Sequence, residues 1–354
     1  MKPSPDDEKL LGKRKLYKVF VKIEEPSGEV TKPGRVASEE IGCIFPGQNP
    51  DEKRRRRHLL GCLGCTALLI TTFLKPLCTL AVHSAAAELD SYILLVPFVS
   101  AYLIYIKRKR LPGEYTSSPG FAMVPLAAGL AALGASWSIQ VYGWHLSHND
   151  SLTFIVFAFV CLLAAGGFFF LGRKWMAAAA FPIAFLIFMV PLPDLAVNWL
   201  ETVYKLASTD AAHLFFLLSG TPVLREGTVF QLPGIVFEVG QECSGIRSSW
   251  ALFLTSLVAS NLFLKSPWRR IVLVAFVIPL GILRNGFRIL VIGLLCVHLG
   301  PDMIHSIIHK QGGPAFFALS LLPLLLFLWW LRKCERSRSQ GDTLKITEAP
   351  GSEL

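Results

Sequence analysis

Charge is the scarce component of this sequence. Only 17% of its 354 residues are Asp, Glu, Lys or Arg, against about 25% in an ordinary soluble domain. Hydrophobic residues make up 53%. That balance excludes the usual soluble globular class. No secretory signal peptide is recognised either, because roughly 57 mostly polar residues precede the first apolar run. Residues 1–57 carry no motif and read as a cytoplasmic tail.

What the chain does have is a series of apolar runs of bilayer length. They cover about 59–82, 91–106, 121–142, 152–171, 176–193, 247–264, 271–298 and 314–331. The net charge of +10 does not point to nucleic acid, because the basic residues are not spread over one surface. They sit at the ends of the apolar runs: "KRRRRH" at 53–58, "KRKR" at 107–110, "GRKW" at 172–175, "SPWRR" at 266–270 and "RKCERSR" at 332–338. Placed there, they read as determinants of membrane orientation.

Parity then decides the topology. With the basic clusters inside, five spans leave the chain outside near Pro191–Asp194, and one span must separate that point from "SPWRR". The run at 247–264 supplies it. The segment 195–218 is apolar but holds Glu201, Lys205, Asp210 and His213; it is expected as an amphipathic helix at the outer leaflet. Residues 219–243 read as a β-hairpin outside, with turns near Arg225–Gly227 and Pro233–Gly234. The expected fold is an all-α polytopic membrane protein: about eight spans, one interfacial helix, one short extracytoplasmic hairpin. A membrane domain covers 58–332 and a second cytoplasmic tail 333–354.

Polar chemistry concentrates in three places. "VGQECSGIRSSW", Val239 to Trp250, sets Glu242, Cys243, Gly245 and Arg247 at the mouth of an apolar helix. A helix N-terminus favours a thiolate, so Cys243 is either an activated nucleophile or an inert buried thiol. The other cysteines, including the Cys62–Cys65 CxxC, read as small apolar residues of membrane helices. "LRNGFRIL" places Arg284, Asn285 and Arg288 inside an apolar run. Arg284 and Arg288 are one turn apart and share a face. Charge inside a membrane segment is a functional hypothesis by default; a structural ion pair or snorkelling is the alternative. Beyond that run, "HLGPDMIHSIIHKQGGPAFF" carries His298, His305 and His309. His305 and His309 have a metal-ligand spacing, but no third ligand clusters with them, so no metal or other cofactor is expected. A thiol, a histidine and an arginine together suit acyl transfer through a thioester.

At this point the chain resembles the exosortase/archaeosortase family of membrane-embedded cysteine transpeptidases. The resemblance covers about 59–331. It is carried by "ELDSYILLVPFVSAYLI", "FPIAFLIFMVPLP", "GTPVLREGTVFQLP", "VGQECSGIRSSWAL" and "LRNGFRILVIGLL", in that order. It implies Cys243 as nucleophile, Arg288 as the arginine of an NxxR block and His309 as the family histidine. Pro314 stands where the family often has Trp, which keeps His305 as the alternative catalytic histidine. Arg225, Glu226, Glu242, Gly245, Arg247, Arg284 and Asn285 are implied as substrate-binding or supporting residues, with Gly245 letting the substrate backbone approach.

The implied substrates are exported proteins ending in a short motif such as PEP, one transmembrane helix and a basic cluster. The implied acceptor is a membrane lipid or a surface glycan or lipid. The implied location is the plasma (inner) membrane, with the site on the extracytoplasmic face and both termini cytoplasmic. Two other functions use the same residues. One is an intramembrane acyltransferase working through Cys243. The other is a non-enzymatic transporter or export scaffold, in which Arg284 and Arg288 bind an anion; no internal repeat supports it.

Overall fold

The computed structural model describes residues 50–86, 92–113, 115–143, 146–240, 244–300 and 313–347. The chain divides into Met1–Gly47 and Gln48–Leu354, and every described residue belongs to the second unit. Residues 1–49 of the expected N-terminal tail lie outside the described residues. The rest of that tail is helical: "KRRRRH" belongs to α1, Pro50–Thr72.

Among the described residues the architecture is helical, apart from one small sheet. After α1 come α2 (Leu74–Ala86), α3 (Val96–Lys107), α4 (Pro119–Val141) and α5 (His148–Phe170). Two short helices follow, α6 (Arg173–Ala178) and α7 (Ala180–Phe185), then a 3-10 turn at Leu186–Met189. Next are α8 (Asp194–Leu218), strands β1 (Leu224–Glu226), β2 (Val229–Leu232) and β3 (Ile235–Glu238), and α9 (Ile246–Phe263). The last two helices are α10 (Pro267–Leu299) and α11 (Gly313–Thr347). The C-terminal tail expected from residue 333 is therefore a continuation of α11 as far as Thr347.

Several apolar runs are broken by proline. The first bends by 67° between α1 and α2. Pro76, in the first turn of α2, has no N–H for Thr72 and its ring crowds that carbonyl. Pro182 does the same to Ala178, where α6 ends. By length and composition four helices can cross a membrane: α4, α5, α10 and Ala315–Ser337 of α11. The number rises to six if two bent pairs each count as one span, α1 with α2 and Ala180–Met189 with α8. Eight spans is thus more than these criteria establish among the described residues. The run at 91–106 yields only the 12-residue α3, about 18 Å long.

The basic clusters gather at one end of the helices. Lys107 Nζ donates to Asn261 Oδ1 at the end of α9 (2.9 Å). Glu335 accepts from the backbone N–H of Ser266 (2.7 Å) and Lys265 (3.1 Å). Arg55 lies over the Tyr115 ring and Arg173 over Phe121. At the opposite end, Ser147 caps α5 by accepting from Asp150 N–H (3.0 Å). Asn149 donates to Leu192 O (2.7 Å) and Asp194 Oδ1 (2.8 Å), and Asp150 Oδ1 accepts from Asp194 N–H (2.9 Å). These bonds tie the start of α8 to the start of α5.

The helix expected at the outer leaflet, α8, turns by 92° from the segment before it. Its second half does not lie alone on a surface. It runs beside α10 in the same direction, and glycines make the approach close. A Cβ on Gly286 would stand 2.7 Å from Ala211 Cβ, and one on Gly293 would stand 2.6 Å from the Phe216 ring. The sheet is an antiparallel meander, β1-β2-β3. The two expected turns are present at Gly227 and Gly234, both with positive φ, so the chain makes two hairpins rather than one. Phe230 and Leu232 alternate inward and join Ala212, Phe216, Ile289 and Leu290 in one buried cluster. The sheet is therefore clamped to α8 and to the far part of α10.

This packing makes a direct prediction. Gly286→Val should destabilise the protein by about 1–3 kcal/mol through overpacking. Gly134→Ala, which meets nothing within 4 Å, should leave stability unchanged or slightly raised. Thermal unfolding of the two variants in detergent compares them.

Candidate active site

Glu242, Cys243, His305 and His309 lie outside the described residues, as does Gln241. The description of the site begins at Ser244, which is buried, and at Gly245.

Gly245 precedes α9 as its N-cap and adopts φ +69°. L-residues with a side chain rarely take this conformation. Space forbids one as well: a Cβ here would meet Asn285 Cγ and Oδ1 at 2.5 Å. The position a side chain at residue 245 would take is filled by Asn285. Asn285 is 1% exposed.

The Gly245 carbonyl is the meeting point of four donors. Ser249 N–H supplies the first bond of α9 at 3.1 Å. Ser249 Oγ donates at 3.0 Å and Ser248 Oγ at 3.1 Å. From the neighbouring helix, Arg284 Nη2 donates at 3.0 Å, and it also donates to Ser249 Oγ at 3.1 Å. Gly281 makes this possible, since a Cβ there would lie 2.5 Å from Ser249 Oγ. Arg284 is 7% exposed; its Nη1 has no hydrogen-bond partner among the described residues. Arg288, one turn further along α10, is half-buried. Ser248 and Ser249 were not singled out in the sequence. Their signal was the pair of hydroxyls three and four residues after a glycine that opens a helix.

The sheet brings the chain to this turn. Val239 N–H donates to Thr228 O (3.0 Å) and Val239 is buried, so the chain is held until four residues before Cys243. Arg225, expected as a substrate-binding or supporting residue, bridges the sheet to α8. Its Nη2 bonds Asp210 Oδ1 at 2.6 Å, and its Nε donates to Gly227 O at 2.8 Å. Lys205 of α8 lies 3.9 Å from Glu238 of β3. Asp210 and Lys205, charges that argued against α8 crossing a membrane, are thus paired with the sheet. Glu226 and Arg247 are exposed. Among the described residues no three His, Cys, Asp or Glu side chains form a metal-binding group.

A sheet clamped over α8, a glycine turn opening α9 and an arginine pair on α10 define a membrane protein with its polar machinery at one end of the bundle. The family model for transmembrane exosortase (Exosortase_EpsH) matches residues 84–326. The chain therefore belongs to the transmembrane exosortase family, an integral-membrane family with a sorting transpeptidase role. No curated protein and no solved structure matches it.

The geometry predicts a sharp contrast between two glycines. Gly245→Ala meets both a strained φ and the Asn285 side chain, so it should abolish function or accumulation. Gly240→Ala has open space and should be neutral. Immunoblots of membrane fractions, with processing of an exported reporter, read both.

Proposed function

We propose that the chain is a cysteine transpeptidase that cleaves the C-terminal sorting signals of exported proteins, with Cys243, Arg288 and His309 as its catalytic residues. The observation that carries this reading is the buried clamp of Arg284 and two serines on the carbonyl two residues after Cys243. A buried guanidinium spent on a turn makes sense where the turn holds a reacting group.

In this mechanism the Cys243 thiolate attacks the scissile carbonyl carbon. The carbonyl oxygen takes the negative charge and is stabilised by Arg288. The C–N bond breaks, and His309 gives its proton to the leaving amine. The product is a thioester on Cys243. An acceptor nucleophile, from a membrane lipid or a surface glycan or lipid, loses its proton to His309 and attacks the thioester, releasing the thiolate. His305 is the alternative to His309. Glu242 and Arg247 flank the nucleophile as contacts for the signal. Arg225 and Glu226 act through the sheet.

The substrate in this reading is an exported protein ending in a PEP-like motif, an apolar helix and a basic cluster. The site faces the extracytoplasmic side of the plasma (inner) membrane, and both termini are cytoplasmic. The gathering of basic clusters at the end of the helices away from Gly245 supports this orientation. A reporter fused near Gly220 should accordingly score as extracytoplasmic.

The decisive test is processing of a signal-bearing reporter, with blots of non-reducing gels. Cys243→Ala should abolish cleavage, and full processing by it would sink the mechanism in favour of a scaffold. Arg288→Lys should lose about as much as Arg288→Ala, roughly a hundred- to thousand-fold, because an ammonium does not reproduce a fixed planar donor. His309→Ala should slow turnover, and a reporter–Cys243 thioester accumulates in it if activating the acceptor is the histidine's main task. An inactive His305→Ala with a normal His309→Ala would move the role to His305.

A further inference from the structure

Arg284 was grouped above with residues that touch substrate or support the site. Its bonds assign it a narrower task. Hydroxyls in α9 commonly bond back to their own helix: Thr255, Ser256 and Ser260 each donate to a carbonyl three or four residues earlier. At Gly245 the back-bonding of Ser248 and Ser249 is joined by Arg284 from α10, and Ser249 Oγ both accepts from Arg284 and donates to the carbonyl. Opening a helix needs only one donor there. Two hydroxyls and a guanidinium are surplus to that need, and the guanidinium is buried.

We infer that Ser248, Ser249 and Arg284 are positioning residues that lock the Gly245–Ile246 peptide plane against α10 and so fix the approach of the nucleophile two residues upstream. Glycine at 245 lets the plane take the required orientation, and Asn285 blocks its retreat by filling the space a side chain would need. The clamp links α9, which follows the nucleophile in sequence, to α10, which carries Arg288. Nucleophile and oxyanion donor are thereby registered to each other. This inference rests on the reading of Cys243 as the nucleophile.

The test uses the full chain in native membranes and a reporter that the wild-type chain cleaves, ending in a Pro-Glu-Pro motif, an apolar helix and a basic cluster. kcat, normalised to the amount of folded enzyme, is read separately from KM. Ser249→Ala removes the relay hydroxyl and should lower kcat about tenfold with KM within about twofold of wild type. Ser249→Thr keeps the hydroxyl and should recover most of the loss. Combining Ser249→Ala with Arg284→Met should cost little more than Arg284→Met alone, because both act through one carbonyl. Wild-type kcat in Ser249→Ala, or strict additivity in the double variant, overturns the inference. If Ser249→Ala fails to accumulate, Ser248→Ala and Arg284→Lys are read the same way: a fall in kcat alone supports the clamp, and an unchanged kcat overturns it. Processing by Cys243→Ala would instead remove the nucleophile reading itself. An inactive Cys243→Ala beside a normal Ser249→Ala removes only the clamp.

Discussion

One buried guanidinium organises this end of the protein. Arg284 lies in the middle of an apolar helix, where an unpaired charge costs several kcal/mol. It is tolerable only if its donors find acceptors, and the acceptors it finds are the Gly245 carbonyl and the Ser249 hydroxyl that bonds it. Reaching that carbonyl imposes conditions on the neighbours. Residue 245 must lack a side chain, because its φ is +69° and Asn285 stands in the way. Residue 281 must lack one too, because Ser249 occupies the gap. Residue 249 must carry a hydroxyl if it is to relay the bond. Three residue identities on two helices thus follow from one charge–carbonyl contact.

A second constraint comes from α8. Its apolar side packs on α10 through Ala211 and Phe216, set against Gly286 and Gly293. Its charges would be out of place against lipid, and two of them meet the sheet instead. Those ion pairs are partly exposed, and such pairs contribute at most about 1 kcal/mol. The apolar contact between α8 and the sheet is the Phe216–Phe230–Leu232 cluster. The sheet is then a rigid arm. It carries the chain from α8 to within a few residues of the Gly245 turn.

Much of this was legible in the sequence, in proportion to how local each signal was. Basic clusters at the ends of apolar runs marked the ends of helices, and the structure gathers them at one end. The glycines at 227 and 234 marked two turns, because a positive φ is a local requirement. Span counting was less secure. Apolar length does not register what Pro76 and Pro182 do to a helix, so continuous runs became bent or broken pairs. The third strand was hidden because a three-residue β1 has almost no periodicity to read. The serine pair was overlooked for a different reason. A hydroxyl in a membrane helix usually bonds its own backbone, and only the arrival of Arg284 from another helix gives Ser249 a further role. Such long-range partners leave no trace in local pattern.

The two arginines of "LRNGFRIL" carry the same charge on the same helix face, yet their surroundings separate them. Two guanidiniums one turn apart repel, and the repulsion grows as water is excluded. Placing both on α10 is costly unless negative charge arrives between or beside them. Arg284 answers with carbonyl and hydroxyl dipoles, which are permanent. Its electrostatic need is therefore met, in part, before any substrate binds. Arg288 lies a turn nearer the sheet end of α10 and is half-buried. On the proposed mechanism the oxyanion is the negative charge that arrives. It appears only as the thiolate attacks, so its interaction with Arg288 favours the transition state over the bound substrate. A like-charged neighbour held in place by fixed dipoles sharpens that preference. Any gain in local positive potential acts on the charge that develops in the reaction, because the acceptors that Arg284 meets among the described residues are neutral groups.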